Sequence, residues 1–368
     1  MLHDVIVIGA GFSGCTAARI LAEKGKKVLL LEKRNHTGGN CFDFKNETGI
    51  TIQKYGPHIF HTNNTEVWEF LNRFSLFNDY THKVLSFQSG NFYTVPINKK
   101  TICDYFRLDI NNVNITEVLK NEIEQSFFND PPENFEDQVI SQVGKNLYEA
   151  FFKNYTLKQW GKDPKNLSAD IAKRVPVRDN IDDRYFSDIY QGIPAEGFTN
   201  LFIKMLDHPN IDILLNTDYF DLKLPYTPEL TIYTGELDLF FDYKYGKLEY
   251  RSLDFKYETL NAEFFQPAAV VNYPGRESWT RITEYKQFLD EKSDKTTLCY
   301  EYPTNSGEPY YVIINEENLK KRNLYMQEVK KLEDQGNFIF AGRLAEYKYY
   351  NIDQAVESVI LKLYQSIK

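Results

Sequence analysis

Cysteine is scarce in this chain of 368 residues, and positive charge is outnumbered by negative. The four cysteines, Cys15, Cys41, Cys103 and Cys299, lie far apart and form no C-x-x-C pair. Their spacing excludes a zinc ribbon or dithiol motif and fits a reducing compartment. With 43 basic against 52 acidic residues the net charge is -9, which opposes non-specific binding to nucleic acid or an anionic membrane. An anionic ligand would therefore need local arginines. No apolar run approaches the length of a membrane span, and the first residues lack the basic region of a signal peptide, so the expected location is cytoplasmic. Neither a Ser-His-Asp arrangement nor a cluster of metal ligands stands out, which argues against hydrolase and metal-dependent chemistry.

Aromatic residues are plentiful. Tyr 26, Phe 27 and Trp 3 make up 15% of the chain, and rings suit both a core and the stacking of planar ligands. The length exceeds what one hydrophobic core usually serves, so two or three domains are expected. A β-branched run at residues 5–8, a helix pattern ending at Gly25 and an apolar run at 28–31 ending at Glu32 form one βαβ unit. Helical segments separated by polar breaks follow, with Tyr148, Phe151, Phe152 and Tyr155 at helical spacing on one broad face. Short strand-like runs at 269–273 and 310–314 predict an antiparallel sheet, and a strand at 338–341 with a helix from Ile352 returns to the first domain. The expected fold class is α/β + α. It comprises a Rossmann-like dinucleotide-binding domain over 1–81, 195–242 and 315–368, an inserted α-helical bundle over 98–194, and an antiparallel sheet domain over 82–97 and 243–314.

Gly9-Ala10-Gly11-Phe12-Ser13-Gly14 follows a strand, opens a helix, and precedes an acidic residue, Glu32, at the next strand end. In that context the glycines have separate tasks. Gly9 permits the tight turn, Gly11 lets backbone approach a pyrophosphate, and Gly14 allows helix and strand to pack closely. Glu32 can accept hydrogen bonds from ribose hydroxyls. FAD and NAD share this fingerprint. The run Lys33-Arg34-Asn35-His36-Thr37-Gly38-Gly39-Asn40 is similar to the second glycine stretch of flavoproteins related to amine oxidases and to guanine-nucleotide dissociation inhibitors, which favours FAD.

At Tyr55-Gly56-Pro57-His58-Ile59-Phe60-His61-Thr62-Asn63 the sequence resembles the bacterial UDP-galactopyranose mutases. The likeness continues at 147–161, 173–178, 250–255, 271–273, 280–286, 309–311 and 342–350. It implies an enzyme that interconverts UDP-galactopyranose and UDP-galactofuranose, with N5 of reduced FAD as nucleophile at the anomeric carbon and no net redox change. It also implies supply of galactofuranose for cell-surface polysaccharide, and a homodimer.

Residue by residue, the resemblance assigns the cofactor to Gly9, Gly11, Phe12, Ser13, Gly14, Glu32, Lys33, Gly38, Gly39, Asn40, His58, Gly342, Arg343 and Ile352. Arg174 and Arg281 match diphosphate-binding arginines, whose planar fork pairs with two phosphate oxygens. Tyr185, Tyr311 and Tyr349 match tyrosines that hydrogen-bond the diphosphate. Phe151, Phe152, Tyr155 and Trp160 match a uridine pocket, and Asn272 joins the substrate-binding set. His61, Arg174, Arg281 and Tyr349 are the expected catalytic residues. One departure stands at Asn351, where family members commonly carry aspartate; a proton-carrying role is lost there. Apolar Ile59, between His58 and His61, predicts preference for a hydroxyl over an acetamido group at carbon 2. The first 40 residues taken alone equally suit an FAD oxidase or a non-catalytic binder of the dissociation-inhibitor type.

Overall fold

The computed structural model describes residues 2–172 and 176–366. Arg174, one of the expected diphosphate ligands, lies outside the described residues. A five-stranded parallel sheet runs in the order Phe338–Phe340, Leu230–Tyr233, Val5–Ile8, Val28–Leu31, Ile211–Leu214. The central strand is apolar throughout because both faces are covered, as parallel sheets require. On one face lie the helices Phe12–Glu23, Phe198–Leu206 and Ile352–Ser366, around a core that includes Val7, Leu30, Phe202 and Val359. The helix Glu316–Glu333 packs Tyr325 and Val329 against Tyr233 and Phe340 in a second cluster.

Register decides where the ends of these strands meet. Ile8 is level with Leu31 and with Tyr233, and Tyr233 with Phe340. The residues that follow, Gly9, Glu32, Thr234 and Ala341, therefore share one edge although more than three hundred positions separate the first from the last in sequence. Crevices at the carboxyl ends of parallel strands are where such folds bind nucleotides.

A seven-stranded sheet forms the second layer, in the order Tyr311–Val312, Tyr250–Leu260, Thr296–Thr304, Arg281–Glu284, Val270–Asn272, Val84–Gln88, Asn91–Val95. It is antiparallel except where Val84–Gln88 runs parallel to Val270–Asn272. That exception joins two segments remote in sequence, a pairing that no local pattern encodes. Asn272 pairs with Arg281 and Arg281 with Glu301, so these three side chains stand in a row on one face. Val271, Ile282 and Tyr300 occupy the other face, in a cluster of their own.

Helical segments between Lys99 and Trp160 build the third part. The expected single helical face at 148–155 is not formed. Residues Tyr148–Lys153 adopt a π-helix between the α-helices Phe135–Leu147 and Asn154–Trp160, and the wider turn rotates the residues beyond it. Tyr148 and Phe151 consequently turn into the bundle core. Tyr155 instead reaches the sheet. No helix among the described residues is long and apolar enough to cross a membrane.

Candidate functional site

A long crevice opens at the carboxyl edge of the parallel sheet. Gly9, Gly11, Phe12, Ser13, Glu32, Lys33, Gly38, Gly39, Asn40, His58, Arg343 and Ile352 all line it. Its walls come from two glycine segments face to face. A side chain at Gly14 would place Cβ 1.8 Å from the carbonyl oxygen of Gly9, so Gly14 is needed for helix-on-strand packing. At Gly11 an added Cβ would meet only Gly39 Cα, at 3.9 Å, so the bare surface there faces open crevice and not protein. Gly11 is also the N-cap of the 12-residue helix Phe12–Glu23 and supplies no side chain to its first N–H groups, which leaves them for an anion. Gly342, at φ +96°, sits against Ser13 Oγ, where a Cβ would approach to 2.5 Å; it shapes the floor and does not line the crevice.

Glu32 has a structural duty besides the expected one. Its carboxylate accepts from the backbone N–H of Ala10 at 2.8 Å and of Arg34 at 2.9 Å, tying the first turn to the second strand. Each oxygen keeps a further lone pair for a ribose hydroxyl. Lys33 pairs with Glu308 at 3.4 Å and Arg343 donates to the carbonyl of Tyr310 at 3.2 Å, so both are held by segments lining the crevice. The crevice thus fits an adenine dinucleotide: a carboxylate at the ribose position, a glycine floor and uncapped amides at the diphosphate position, and Arg343 beyond. Sequence reasoning missed one wall, built by Thr217, Asp218, Tyr219 and Phe220 and by Thr234 and Glu236. Thr234-Gly235 directly after an apolar strand was the available signal.

Beside this crevice stands Arg281, encircled by rings. Its Nη2 donates to the phenol of Tyr155 at 2.7 Å, and Tyr311 and Tyr185 are close enough to act on its charge. Tyr311 and Tyr349 stack with centroids 6.0 Å apart, and Trp160 lies 6.4 Å from each. Burial opposes the charge on Arg281, but the Glu301 carboxylate at 3.5 Å and the surrounding phenols hold it ionised. Burial pushes the phenols of Tyr155 and Tyr311 up and that of Tyr185 to about 12, so all three remain O–H donors at neutral pH. Tyr185 is 38% exposed even so.

A family model described as UDP-galactopyranose mutase matches residues 150–349, and one described as an NAD(P)-binding Rossmann-like domain matches residues 7–74. A UDP-galactopyranose mutase of Mycoplasma genitalium is 35% identical over 98% of this chain and 94% of its own. The chain belongs to the UDP-galactopyranose mutase family. A dTDP-fucopyranose mutase of Escherichia coli is 37% identical over 98% of this chain and 97% of its own. The crystal structure of a reduced UDP-galactopyranose mutase shares the fold, with a TM-score of 0.78 and 16% identity over 100% of this chain and 97% of the other.

In this member of the mutase family, Tyr155, Trp160, Tyr185, Arg281, Tyr311 and Tyr349 come together, and sheet register sets Asn272 beside Arg281. Phe151 does not join them. Only 7% exposed, its ring packs edge-on against Tyr93 and Tyr105, so it serves the bundle core and cannot stack on a base; Phe152 borders the same core. Ile59 likewise belongs to the main core, which removes it as a selector at carbon 2.

The two expected histidines part company. His58 lines the dinucleotide crevice, and burial, helped by Arg343 and Arg281, pushes it down to about 4 against the pull of the Gly56 carbonyl. His61 is not among the residues that line the crevice; it stacks on Phe186. A third histidine, His82, was not anticipated. Burial first, then Arg281 and His61, push it down to about 3, and its ring meets Tyr185 edge-on.

Proposed function

We propose that this protein interconverts UDP-galactopyranose and UDP-galactofuranose with FAD as its resident cofactor, active when reduced. The observation that carries the reading is a largely enclosed, permanently charged arginine, Arg281, ringed by phenols and a tryptophan, beside a dinucleotide crevice, on a chain of this family. When bound and reduced, FAD would supply a nucleophile for the anomeric carbon, without net oxidation. Arg281, together with Arg174, pairs with the diphosphate and stabilises the charge that UDP gains as it leaves. Tyr155, Tyr185 and Tyr311, kept protonated by burial, donate to phosphate oxygens without adding charge. Tyr349 joins them, and Trp160 offers a ring to the base. His58, kept neutral, presents an uncharged imidazole to the crevice. The product would serve cell-surface polysaccharide synthesis in the cytoplasm, and a homodimer is the expected assembly.

The test is incubation of purified, FAD-loaded protein with UDP-galactofuranose and dithionite, followed by chromatography for UDP-galactopyranose. Equal turnover by fully oxidised protein would overturn the cofactor role. The E. coli relative raises a second reading, in which the substrate is dTDP-fucose, lacking the 6-hydroxyl and carrying thymine. A parallel assay with dTDP-fucofuranose decides: a higher kcat/KM for it transfers the proposal to that sugar nucleotide.

A further inference from the structure

The short strand Phe60–Thr62 pairs antiparallel with Tyr190–Gly192, His61 opposite Gln191. This pairing brings Asp188, which precedes the second strand, to the imidazole: Asp188 Oδ2 lies 2.9 Å from His61 Nδ1. The other carboxylate oxygen accepts from Asn63 Nδ2 at 2.9 Å, and Asn63 Oδ1 accepts from the backbone N–H of Ile189 at 2.9 Å. Phe186 stacks on the imidazole with centroids 3.6 Å apart and planes 13° apart. The ring is thus held at one nitrogen and across one face. Phe186 also stacks with His82, which meets Tyr185 and feels the charges of Arg281 and His61, so a short chain of rings links His61 to the residues around Arg281.

A carboxylate only accepts hydrogen bonds, so Nδ1 must carry the hydrogen and Nε2 of the neutral ring is left as an acceptor. We infer that Asp188 is a positioning residue that locks His61 in the Nδ1–H tautomer and so offers Nε2 as acceptor to a hydroxyl of the bound sugar. The inference rests on the mutase reading of the cleft. Asn63 gives the arrangement its direction. In Asp188→Asn, an amide oxygen turned to Asn63 Nδ2 puts an NH2 group against His61 Nδ1 and favours the opposite tautomer. Turned the other way, the NH2 group faces the NH2 of Asn63, which cannot flip without leaving the N–H of Ile189 unpaired.

The experiment uses the full-length, FAD-bound protein with 15N-labelled histidine. His61→Gln identifies the His61 signals among six histidines. The wild type is expected to show the Nδ1–H tautomer, Asp188→Asn a shift toward Nε2–H, and Asp188→Glu a return. In parallel, Asp188→Asn should lower kcat/KM for the sugar nucleotide by about tenfold, the worth of one lost hydrogen bond, while the affinity for UDP alone, FAD retention and the melting midpoint stay at wild-type values. A wild-type Nε2–H tautomer, or no shift in the variant, would overturn the inference, as would parallel losses of UDP affinity and melting midpoint. The tautomer is read without turnover, so a protein inactive on both sugar nucleotides refutes the proposed function separately. If Asp188→Asn fails to fold, the wild-type tautomer and Asp188→Glu still decide.

Discussion

Arg281 and Glu301 stand opposite one another on adjacent antiparallel strands, with Arg281 Nε 3.5 Å from a carboxylate oxygen of Glu301. Glu301 is 0% exposed, and neither of its carboxylate oxygens has a hydrogen-bond partner among the described residues. Its carboxyl is pushed up by burial and held down only by Arg281. The pair is therefore one electrostatic unit beneath the ring of phenols. Glu301→Ala should strand a buried guanidinium and lower stability by about 3 kcal/mol. Glu301→Gln, which keeps the volume and leaves a neutral amide, should cost less. Urea unfolding of the two variants checks the order, and equal losses would show that volume and not charge matters there.

Arg281→Ala is expected to lower kcat/KM more than tenfold, since a charged hydrogen bond lost from a buried site costs roughly 2 to 5 kcal/mol. The flavin-to-protein ratio should not change, because Arg281 does not line the dinucleotide crevice. Absorbance after gel filtration gives the ratio, and flavin loss matching the activity loss would contradict the division between the two subsites.

Two glycine variants separate fold from cofactor. Gly14→Ala drives a methyl to 1.8 Å from the Gly9 carbonyl and should abolish stable folding. Gly11→Val keeps an ordinary φ of −81° and projects into open crevice, so a folded protein with FAD affinity reduced at least tenfold is expected. Circular dichroism and flavin titration would tell the two apart.

Stability should fall in acid through the buried histidines. His82 is pushed down to about 3 and His58 to about 4 from an ordinary 6.5. The unfolded chain takes up these protons as the pH drops through about 6.5, whereas the folded protein refuses them until the lower values. The unfolded state thus binds more protons in this window, and each histidine contributes a loss of about 1.4 kcal/mol per pH unit within it. His82→Gln should flatten the slope of unfolding free energy between about pH 6 and pH 4 by that amount. An unchanged slope would remove His82 as its source.

The parallel-sheet domain was legible from local pattern. Residues 5–32 carry a β-branched run, spaced glycines and a terminal carboxylate, each of which acts through its own backbone or its nearest neighbours. Phe151 and Tyr155 were assigned to one face because regular helical spacing was assumed; the π-turn at Tyr148–Lys153 altered that spacing. Ile59 looked like a ligand neighbour because its motif reaches the site, but it packs into the main core together with the adjacent Phe60.

Sequence by itself determined the family, the glycine crevice for a dinucleotide, and the chemical kinds of side chain available to hold a diphosphate, because motif spacing and residue chemistry are local properties. Tertiary structure alone decided which of those side chains meet. The register that sets Glu301 beside Arg281, the strand pairing that carries Asp188 to His61, and the burial that keeps His82 neutral join segments from twenty to about two hundred residues apart. Such contacts depend on how strands align and how tightly the surroundings exclude water, quantities that belong to the packed chain and to no stretch of it.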